Sequence, residues 1–266
     1  LHPSPKQALF LGVGTGTTFA AAADFPDLMG EGVELMPEVI AAVDHFEKAT
    51  GNLAAKKNLR ILNADARRYV HASHEVFDVI VADLFHPARD GAGFLYTVEH
   101  FDAIRSRLAP GGIFCQWLPL YQMDLEVLRI IIRTFLHVFP DGKGFLATYS
   151  LQTPIFGLIS GCSTTGYPLD YMEKRLSSDA LHRRLVALRL NSIYALFGTY
   201  LASPGDLRDF AGEGSMNIDN RPVIIFKAPK FAYNENEPAY VRLLALVDTL
   251  NPDPEQLLQK GKTDEA

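Results

Sequence analysis

Apolar runs without polar alternation recur as far as Gly161 and predict strands that are buried on both faces. Segments with apolar residues at helical spacing lie between them, so the predicted strands and helices alternate. This order predicts an α/β fold with a mostly parallel, seven-stranded sheet and an antiparallel edge strand from a terminal hairpin. The strands are expected at about Gln7–Gly12, at a run ending in Gly32–Glu34, and at Leu59–Asn63, Phe77–Asp83, Ile113–Trp117, Phe145–Tyr149 and Ile155–Ile159. The helices are expected at about Thr17–Phe25, from Pro37 onward, and at Tyr96–Leu108 and Leu125–Phe139.

After Gly161 the pattern changes, and segments with helical spacing dominate. We therefore expect a core at residues 1–162 and a mainly helical extension at residues 163–266 that packs on this core. The extension is expected to hold a helical region at Tyr167–Tyr200, a short strand at Val223–Phe226, an amphipathic helix at Pro238–Leu250 and a polar tail from Asn251 that frays.

The turn after the first strand carries three glycines, in the run Gly12-Val13-Gly14-Thr15-Gly16. Glycine lets the backbone turn sharply and lets a ligand approach it, and the following helix start offers free N–H groups. The second strand ends in Glu34, about 20 residues on, where an acid can hold both hydroxyls of a ribose. The third glycine comes one residue earlier than in a dinucleotide motif, which favours a nucleoside site of the S-adenosylmethionine type. The alternative is a sharp strand-to-helix turn without a ligand.

Further polar residues follow the predicted strands. Because ligands of parallel sheets bind at the carboxyl ends of strands, we expect these residues to meet at one edge of the sheet. They are Gly12, Glu34, Asp65, Asp83 and Gln116. Each acid has a simpler interpretation: Glu34 as an exposed acid at a helix start, Asp65 as a helix cap, and Asp83 as a cap or turn residue.

Charge and composition narrow the class of protein. The net charge of −6 argues against nucleic acid as a partner. Cys115 and Cys162 suggest no disulfide framework and fit a reducing compartment, where both would be small buried residues. No stretch is apolar enough to span a membrane, no ligand spacing predicts a metal, and no nucleophile motif is present. Because the chain starts at Leu1, just before a core strand, we expect the natural protein to continue upstream.

The segment Val79–Pro87, followed by Gly91–Tyr96, resembles the catalytic loop of the spermidine/spermine synthases, which are aminopropyltransferases. The segments His2–Lys6, Gly32–Glu34, Asn63–Asp65 and Phe114–Trp117 keep the order of that family, so the resemblance covers about residues 1–160. Leu84–Pro87 and Leu118–Gln122 are most similar to a bacterial branch that is often fused to membrane segments, in which a turn like Asn217–Pro222 also follows the core. The resemblance implies a Rossmann-like class I methyltransferase fold with a helical C-terminal extension.

The resemblance also implies roles for residues. Asp83 would be the general base, Glu34 would hold the ribose hydroxyls, and Asp65 would contact the adenine amino group. The donor, decarboxylated S-adenosylmethionine, would lie against Gly12, Gly14, Thr15, Gly16, Glu34, Asp65, Ala66 and Asp83, and the amine against His86, Asp90 and Gln116. The reaction would transfer an aminopropyl group to an amine such as putrescine, with methylthioadenosine as the product, in polyamine biosynthesis. The implied protein is a cytoplasmic homodimer, or the cytosolic domain of a membrane-fused protein, without a metal.

Two departures from the family keep alternatives open. Thr15 stands where most aminopropyltransferases carry an aspartate, which would offset the bare ammonium of the decarboxylated donor near a helix N-terminus. Intact S-adenosylmethionine keeps its carboxylate, so methyl transfer is the first alternative, and a non-catalytic adenosyl-binding module is the second. The catalytic loop of the family carries a second acid, which binds the acceptor amine, where this chain has His86. Asp90 in the same loop is the candidate to take over the role of that acid. Asp219 and Arg221 are expected to form a local turn and ion pair, with closure of the site as the alternative role.

Overall fold

The computed structural model describes residues 1–147, 150–161, 166–232, 237–250 and 253–257. In this part of the chain one sheet has eight strands, which are β1 (Gln7–Leu11), β2 (Met29–Glu34), β3 (Leu59–Asn63), β4 (Phe77–Ala82), β5 (Leu108–Pro119), β6 (Lys143–Leu146), β7 (Ile155–Ser160) and β8 (Tyr200–Ala202). They lie in the order β3-β2-β1-β4-β5-β7-β6-β8. Strands β1 to β5 are parallel, and β7, β6 and β8 follow by antiparallel pairing.

The α/β fold and its mostly parallel sheet are confirmed, but the strand count differs. The sheet has eight strands rather than seven, because β8 from the later part of the chain pairs with β6. The antiparallel part therefore comprises three strands instead of one edge strand. The division into a core at residues 1–162 and an extension at residues 163–266 stays a prediction.

Helices cover both faces of the sheet. Along β1, Leu9 and Leu11 join the core beneath the helices at Ala66–Ala72, Val98–Ser106 and Leu125–Val138, whereas Ala8 and Phe10 join the core beneath the helix at Thr17–Ala20 and its neighbours. The α-helices are α1 (Thr17–Ala20), α2 (Pro37–Ala42), α3 (Glu47–Thr50), α4 (Ala66–Ala72), α5 (Val98–Ser106), α6 (Leu125–Val138), α7 (Leu169–Leu176), α8 (Asp179–Ala187), α9 (Ile193–Phe197), α10 (Pro204–Ala211), α11 (Val223–Ala232) and α12 (Ala239–Leu250). Short 3-10 helices are Ala21–Asp24, Val43–Phe46, Leu53–Ala55, Ala92–Tyr96, Leu120–Gln122 and Pro254–Leu257.

Three predicted helices prove to be interrupted. The helix expected at Thr17–Phe25 is α1 followed by a 3-10 turn, and the helix expected from Pro37 is α2, a 3-10 turn and α3. The helical region expected at Tyr167–Tyr200 is α7, α8 and α9, and its last residue belongs to β8. By contrast, α6 and α12 match their predictions closely. None of the described helices has the length and hydropathy that a membrane span requires.

The prediction of a strand at Val223–Phe226 is wrong, because this run begins α11. A four-residue apolar run does not distinguish a strand from a buried helix by periodicity. Ile224 and Ala228, one helical turn apart, are fully buried, whereas Phe226 on the other side is 68% exposed.

The helix expected at Tyr96–Leu108 is α5, which ends earlier, at Ser106, and Pro110-Gly111-Gly112 after it belong to the start of β5. The register between β4 and β5 shifts at this point, as at a β-bulge. Cys115 is buried as expected. Tyr149, Cys162 and the tail outside residues 253–257 lie outside the described residues.

Candidate active site

Glu34 holds the glycine turn against the end of β2. Its Oε2 accepts hydrogen bonds from the backbone N–H groups of Val13 (3.0 Å) and Gly14 (3.1 Å). Its Oε1 accepts one from the N–H of Met36 (3.1 Å). The residue is 9% exposed, so the interpretation of Glu34 as an exposed acid is wrong. A carboxylate has about four acceptor positions, so Glu34 keeps capacity for a ligand hydroxyl.

Gly12 brings this turn close to the loop that follows β4. Its φ of +82° favours glycine, and a Cβ there would lie 3.1 Å from the ring of Phe85 and 3.7 Å from Cβ of Asp83. The backbone N–H of Gly12 also donates to the carbonyl oxygen of Val33 (2.9 Å). The first turn and the loop after β4 are therefore two sides of one narrow space.

Asp65 caps α4, as its simpler interpretation predicted. Its Oδ1 accepts a hydrogen bond from the N–H of Arg68 (2.8 Å). Its second oxygen takes no part in this cap, and the residue lines the same cavity as Glu34. A capping role and a ligand role are thus compatible, because they use different oxygens.

Asp83 follows β4 directly, and its backbone N–H donates to the carbonyl oxygen of Leu11 (3.0 Å). Its Oδ1 accepts a hydrogen bond from the N–H of Leu84 (2.8 Å). Burial raises the pKa of the Asp83 carboxyl, and the negative charge of Glu34 adds to this rise. The hydrogen bonds from Leu84 and from the Thr18 hydroxyl oppose it. The result is a carboxylate that binds a proton more readily than an ordinary aspartate does.

The loop after Asp83 is held by its own contacts. The hydroxyl of Tyr96, a fully buried residue, donates to the carbonyl oxygen of Phe85 (2.6 Å). His86 Nδ1 accepts a hydrogen bond from the N–H of Ala88 (3.2 Å), which places the ring proton on Nε2. Burial and the charge of Arg89 lower the pKa of His86, so its imidazole is neutral at pH 7.

These elements surround a cavity of about 840 Å³. Among the residues predicted for the donor, the cavity is lined by Gly12, Gly14, Glu34, Asp65, Ala66 and Asp83. Among those predicted for the amine, it is lined by His86 and Asp90. Residues from four different strand ends and the following loop therefore meet, as expected from the topology of a parallel sheet.

Three predicted site residues lie outside this cavity. The hydroxyl groups of Thr15 and Thr17 share a hydrogen bond (3.0 Å). Gly16 packs so closely that a Cβ would lie 2.7 Å from Leu53. Gln116 is fully buried, and its Nε2 donates to the carbonyl oxygen of Trp117 (3.1 Å). Ligand contacts for Thr15, Gly16 and Gln116 stay predictions.

Arg67 is a cavity residue that the sequence reasoning missed. Its guanidinium donates to the carbonyl oxygen of Phe94 (2.5 Å) and to Oγ1 of Thr97 (2.9 Å). It also forms an ion pair with Asp219, which was expected to pair with Arg221. A cation in the first turn of a helix is disfavoured by the helix dipole. The position of Arg67 in the first turn of the predicted helix after Asp65 is therefore the sequence feature that could have indicated a role for it.

The turn at Asn217–Arg221 itself is present, since Ile218 and Arg221 form an isolated bridge. Asp219 lines the cavity, so a segment far along the chain reaches the site. The lining then carries five carboxylates, Glu34, Asp65, Asp83, Asp90 and Asp219, and two guanidinium groups, Arg67 and Arg89. Among the described residues, no group of three or more His, Cys, Asp or Glu side chains is placed to hold a metal ion.

Known proteins resemble this chain in sequence. Polyamine aminopropyltransferase 2 of Hyperthermus butylicus is 27% identical over 172 residues, which are 61% of this chain and 54% of that protein. Putrescine N-methyltransferase 2 of Nicotiana tabacum is 26% identical over 178 residues, which are 64% of this chain and 48% of that protein. The chain thus spans about half the length of the curated relatives that it matches.

Solved structures resemble it in fold. A probable spermidine synthase from Corynebacterium glutamicum superposes with a TM-score of 0.55 at 20% identity, covering 80% of this chain and 72% of that one. The Rossmann-like fold implied by the resemblance is therefore confirmed. The model of the spermine/spermidine synthase domain matches residues 1–159, which include the glycine turn, the strand-end acids and the loop after β4. The chain therefore belongs to the spermine/spermidine synthase family.

Proposed function

We propose that this protein transfers an aminopropyl group from decarboxylated S-adenosylmethionine to an amine such as putrescine, in polyamine biosynthesis. The observation that carries the proposal is the environment of Asp83. This side chain is a partly buried carboxylate with a raised pKa, at the end of β4 and in a cavity shared with the glycine turn. The family and the relative named polyamine aminopropyltransferase support the same reaction.

The proposed reaction needs one base and no acid. The amine nitrogen attacks the carbon bound to the sulfonium, a C–N bond forms, and the C–S bond breaks. The sulfur takes the electron pair of that bond and leaves as neutral methylthioadenosine. The amine loses one proton, and Asp83 accepts it. A raised pKa brings Asp83 closer to the pH at which a general base works best, and such a base contributes about 10²–10⁴-fold to the rate.

The adenosyl group would lie along the strand ends. We assign one ribose hydroxyl to the remaining acceptor position of Glu34 and the adenine amino group to the second oxygen of Asp65. Gly12 and Gly14 let the donor approach the backbone of the turn closely, since neither residue carries a side chain. This assignment extends over β1, β2 and β3, and it leaves the amine near Asp83 at the end of β4.

The charge of the lining suits a cationic substrate. Five carboxylates face two guanidinium groups, and His86 is neutral at pH 7. The excess of negative charge attracts a diamine and holds it near Asp83. We propose His86 and Asp90 as residues on the amine side of the cavity. Dimerisation and a cytoplasmic location stay predictions from the family.

One observation favours a second candidate function, methyl transfer from intact S-adenosylmethionine. Thr15 offers no charge to a bare ammonium, and its hydroxyl is engaged with Thr17. A donor that keeps its carboxylate needs no acid at this position. The match to a putrescine N-methyltransferase fits the same candidate.

The test compares donors with the same amine. The protein is incubated with putrescine and either decarboxylated or intact S-adenosylmethionine, and methylthioadenosine and S-adenosylhomocysteine are quantified. We expect methylthioadenosine with the decarboxylated donor, and about 10²–10⁴-fold less of it from Asp83→Asn. Asp44→Asn, at an exposed acid, is the matched control and should keep wild-type turnover. Methylation without aminopropyl transfer would contradict the proposal, and so would binding of methylthioadenosine without turnover of either donor.

A further inference from the structure

The turn Asn217–Arg221 is bound to the rim of the cavity by its own side chains. Asn217 is fully buried, and its Nδ2 donates to the carbonyl oxygen of Gly93 (2.8 Å). Its Oδ1 accepts a hydrogen bond from the N–H of Ile224 (3.2 Å). The backbone N–H of Asp219 donates to Oε2 of Glu99 (3.0 Å). These contacts fix the position of Asp219, although it lies outside the matched domain at residues 1–159.

Of the two oxygens of the Asp219 carboxylate, only Oδ2 can face the cavity that the residue lines. Its Oδ1 is enclosed and has no hydrogen-bond partner among the described residues. The side chain is nevertheless 34% exposed, so its accessible surface belongs to Oδ2 and the methylene group. Oδ2 also accepts a hydrogen bond from Arg67, which holds the carboxylate in one orientation. A pre-oriented acceptor of this kind loses little conformational entropy when a ligand binds.

Asp219 lies between the β3 end of the cavity and the segment Gly93–Glu99, which its turn contacts. Its partner Arg67 comes two residues after Asp65, in the first turn of α4. The guanidinium carbon of Arg67 lies 5.7 Å from the ring centroid of Phe94 and its side chain is only 22% exposed, so both residues form a wall there. Asp83, where the amine would react, follows β4, and β2 and β1 lie between β3 and β4 in the sheet. Asp219 therefore faces the part of the cavity assigned to the nucleobase.

We propose that Asp219 contacts the exocyclic amino group of the adenine base and, together with Asp65, selects a 6-amino purine. An amino group carries two hydrogens, and each carboxylate would accept one. A 6-oxo purine would instead place a carbonyl oxygen opposite these acceptors, where no hydrogen bond forms. Sites built to bond an N–H group reject analogues that lack it, because the acceptor is then left unpaired. This proposal rests on the adenosyl pocket of the proposed function and adds a residue from the C-terminal segment.

The test measures binding of methylthioadenosine and methylthioinosine by calorimetry to wild type and to Asp219→Asn. We expect Asp219→Asn to weaken methylthioadenosine about tenfold, the value of one hydrogen bond to a charged group, and to change methylthioinosine less than twofold. Asn220→Ala, at an exposed residue of the same turn, is the matched control and should change neither. Equal changes for both nucleosides in Asp219→Asn would show a structural role only and would overturn the proposal.

A second measurement needs no variant and remains valid where Asp219→Asn disturbs the turn. Methylation of the adenine amino group leaves one hydrogen for two acceptors, so wild-type protein should bind N6-methyl-methylthioadenosine about tenfold more weakly than methylthioadenosine. Equal affinities would contradict the two-acceptor arrangement. If wild type binds no methylthioadenosine at all, the adenosyl pocket itself is wrong, and that outcome is distinct from a loss of base selectivity.

Discussion

The cavity has two walls that are built differently. The strand-end wall, which comprises Gly12, Glu34, Asp65 and Asp83, is held by hydrogen bonds to backbone groups at the strand ends and the helix starts. The opposite wall, which comprises Arg67, Phe94 and Asp219, is held by side chains that reach across as many as 152 residues of sequence. The first wall cannot move without the sheet, whereas the second depends on a turn that docks from the later part of the chain.

This difference suggests that the two walls have different roles in the proposed reaction. A residue that must hold a proton within reach of a reacting atom benefits from the rigid wall, since small displacements there are costly to the rate. A residue that distinguishes one base from another needs only a fixed acceptor. We therefore expect changes in the strand-end wall to affect turnover or stability, and changes in the opposite wall to affect selectivity.

The largest expected effect is in Asp83→Asn, where activity and stability move in opposite directions. Turnover should fall about 10²–10⁴-fold. Because the folded protein raises the pKa of Asp83, ionisation costs the native state stability as the pH rises from the unfolded value through the folded one. The asparagine variant escapes this cost, so its Tm at pH 8 should exceed that of wild type. The difference should vanish near pH 3, where the unfolded chain also holds the proton, and a lower Tm at pH 8 would contradict the assignment.

Glu34→Gln should show the next largest effect. The amide nitrogen of glutamine has no acceptor to offer one of the backbone N–H groups that now bond the carboxylate. We expect a loss of about 1–3 kcal/mol in the free energy of unfolding, measured by urea denaturation, and weaker binding of methylthioadenosine. Glu38→Gln, an exposed acid four residues away, is the control. Unchanged stability would mean that the strand-end wall does not depend on Glu34.

Thr18→Val should shift the pH dependence of turnover. The Thr18 hydroxyl lowers the pKa of Asp83 by bonding its ionised form, so its removal should raise that pKa further. The acidic limb of the kcat/KM profile, where Asp83 gains its proton, should then move to higher pH than in wild type. An unmoved limb would assign the titration to another group.

At neutral pH the smallest expected effect concerns a buried histidine next to the opposite wall. His100 is fully buried beside Arg67, and burial lowers its pKa to about 3. The unfolded chain takes up this proton near the ordinary pKa of 6.5, whereas the native state does not. His100 should therefore destabilise the fold as the pH falls from 6.5 towards 3, with an uptake of up to about one proton on unfolding. His100→Leu should reduce this dependence in urea titrations at several pH values, and an identical dependence would exclude His100 as its source.

The sequence predicts the strand-end wall well for a physical reason. In a parallel sheet the residue after each strand is placed by the strand itself, so local patterns locate Glu34, Asp65 and Asp83. The pairing of Arg67 with Asp219 has no local pattern, because it exists only once two distant segments have packed. A local pattern also failed at the start of α11, which was predicted as a strand because its first four residues are apolar and fit a strand equally well. The later segment also adds β8, which was not predicted, because a three-residue strand carries too little periodicity.

The most direct test of the proposed reaction is the mass of the amine product. Wild-type protein is incubated with putrescine and equal amounts of decarboxylated and intact S-adenosylmethionine. The amine products are then separated, and their masses are measured by mass spectrometry. We predict a product that is heavier than putrescine by an aminopropyl group, formed by wild type and Asp44→Asn and nearly lost in Asp83→Asn. A product heavier by a methyl group alone, or an aminopropyl product formed equally well by Asp83→Asn, would contradict the assignment of Asp83 as the base of an aminopropyltransferase.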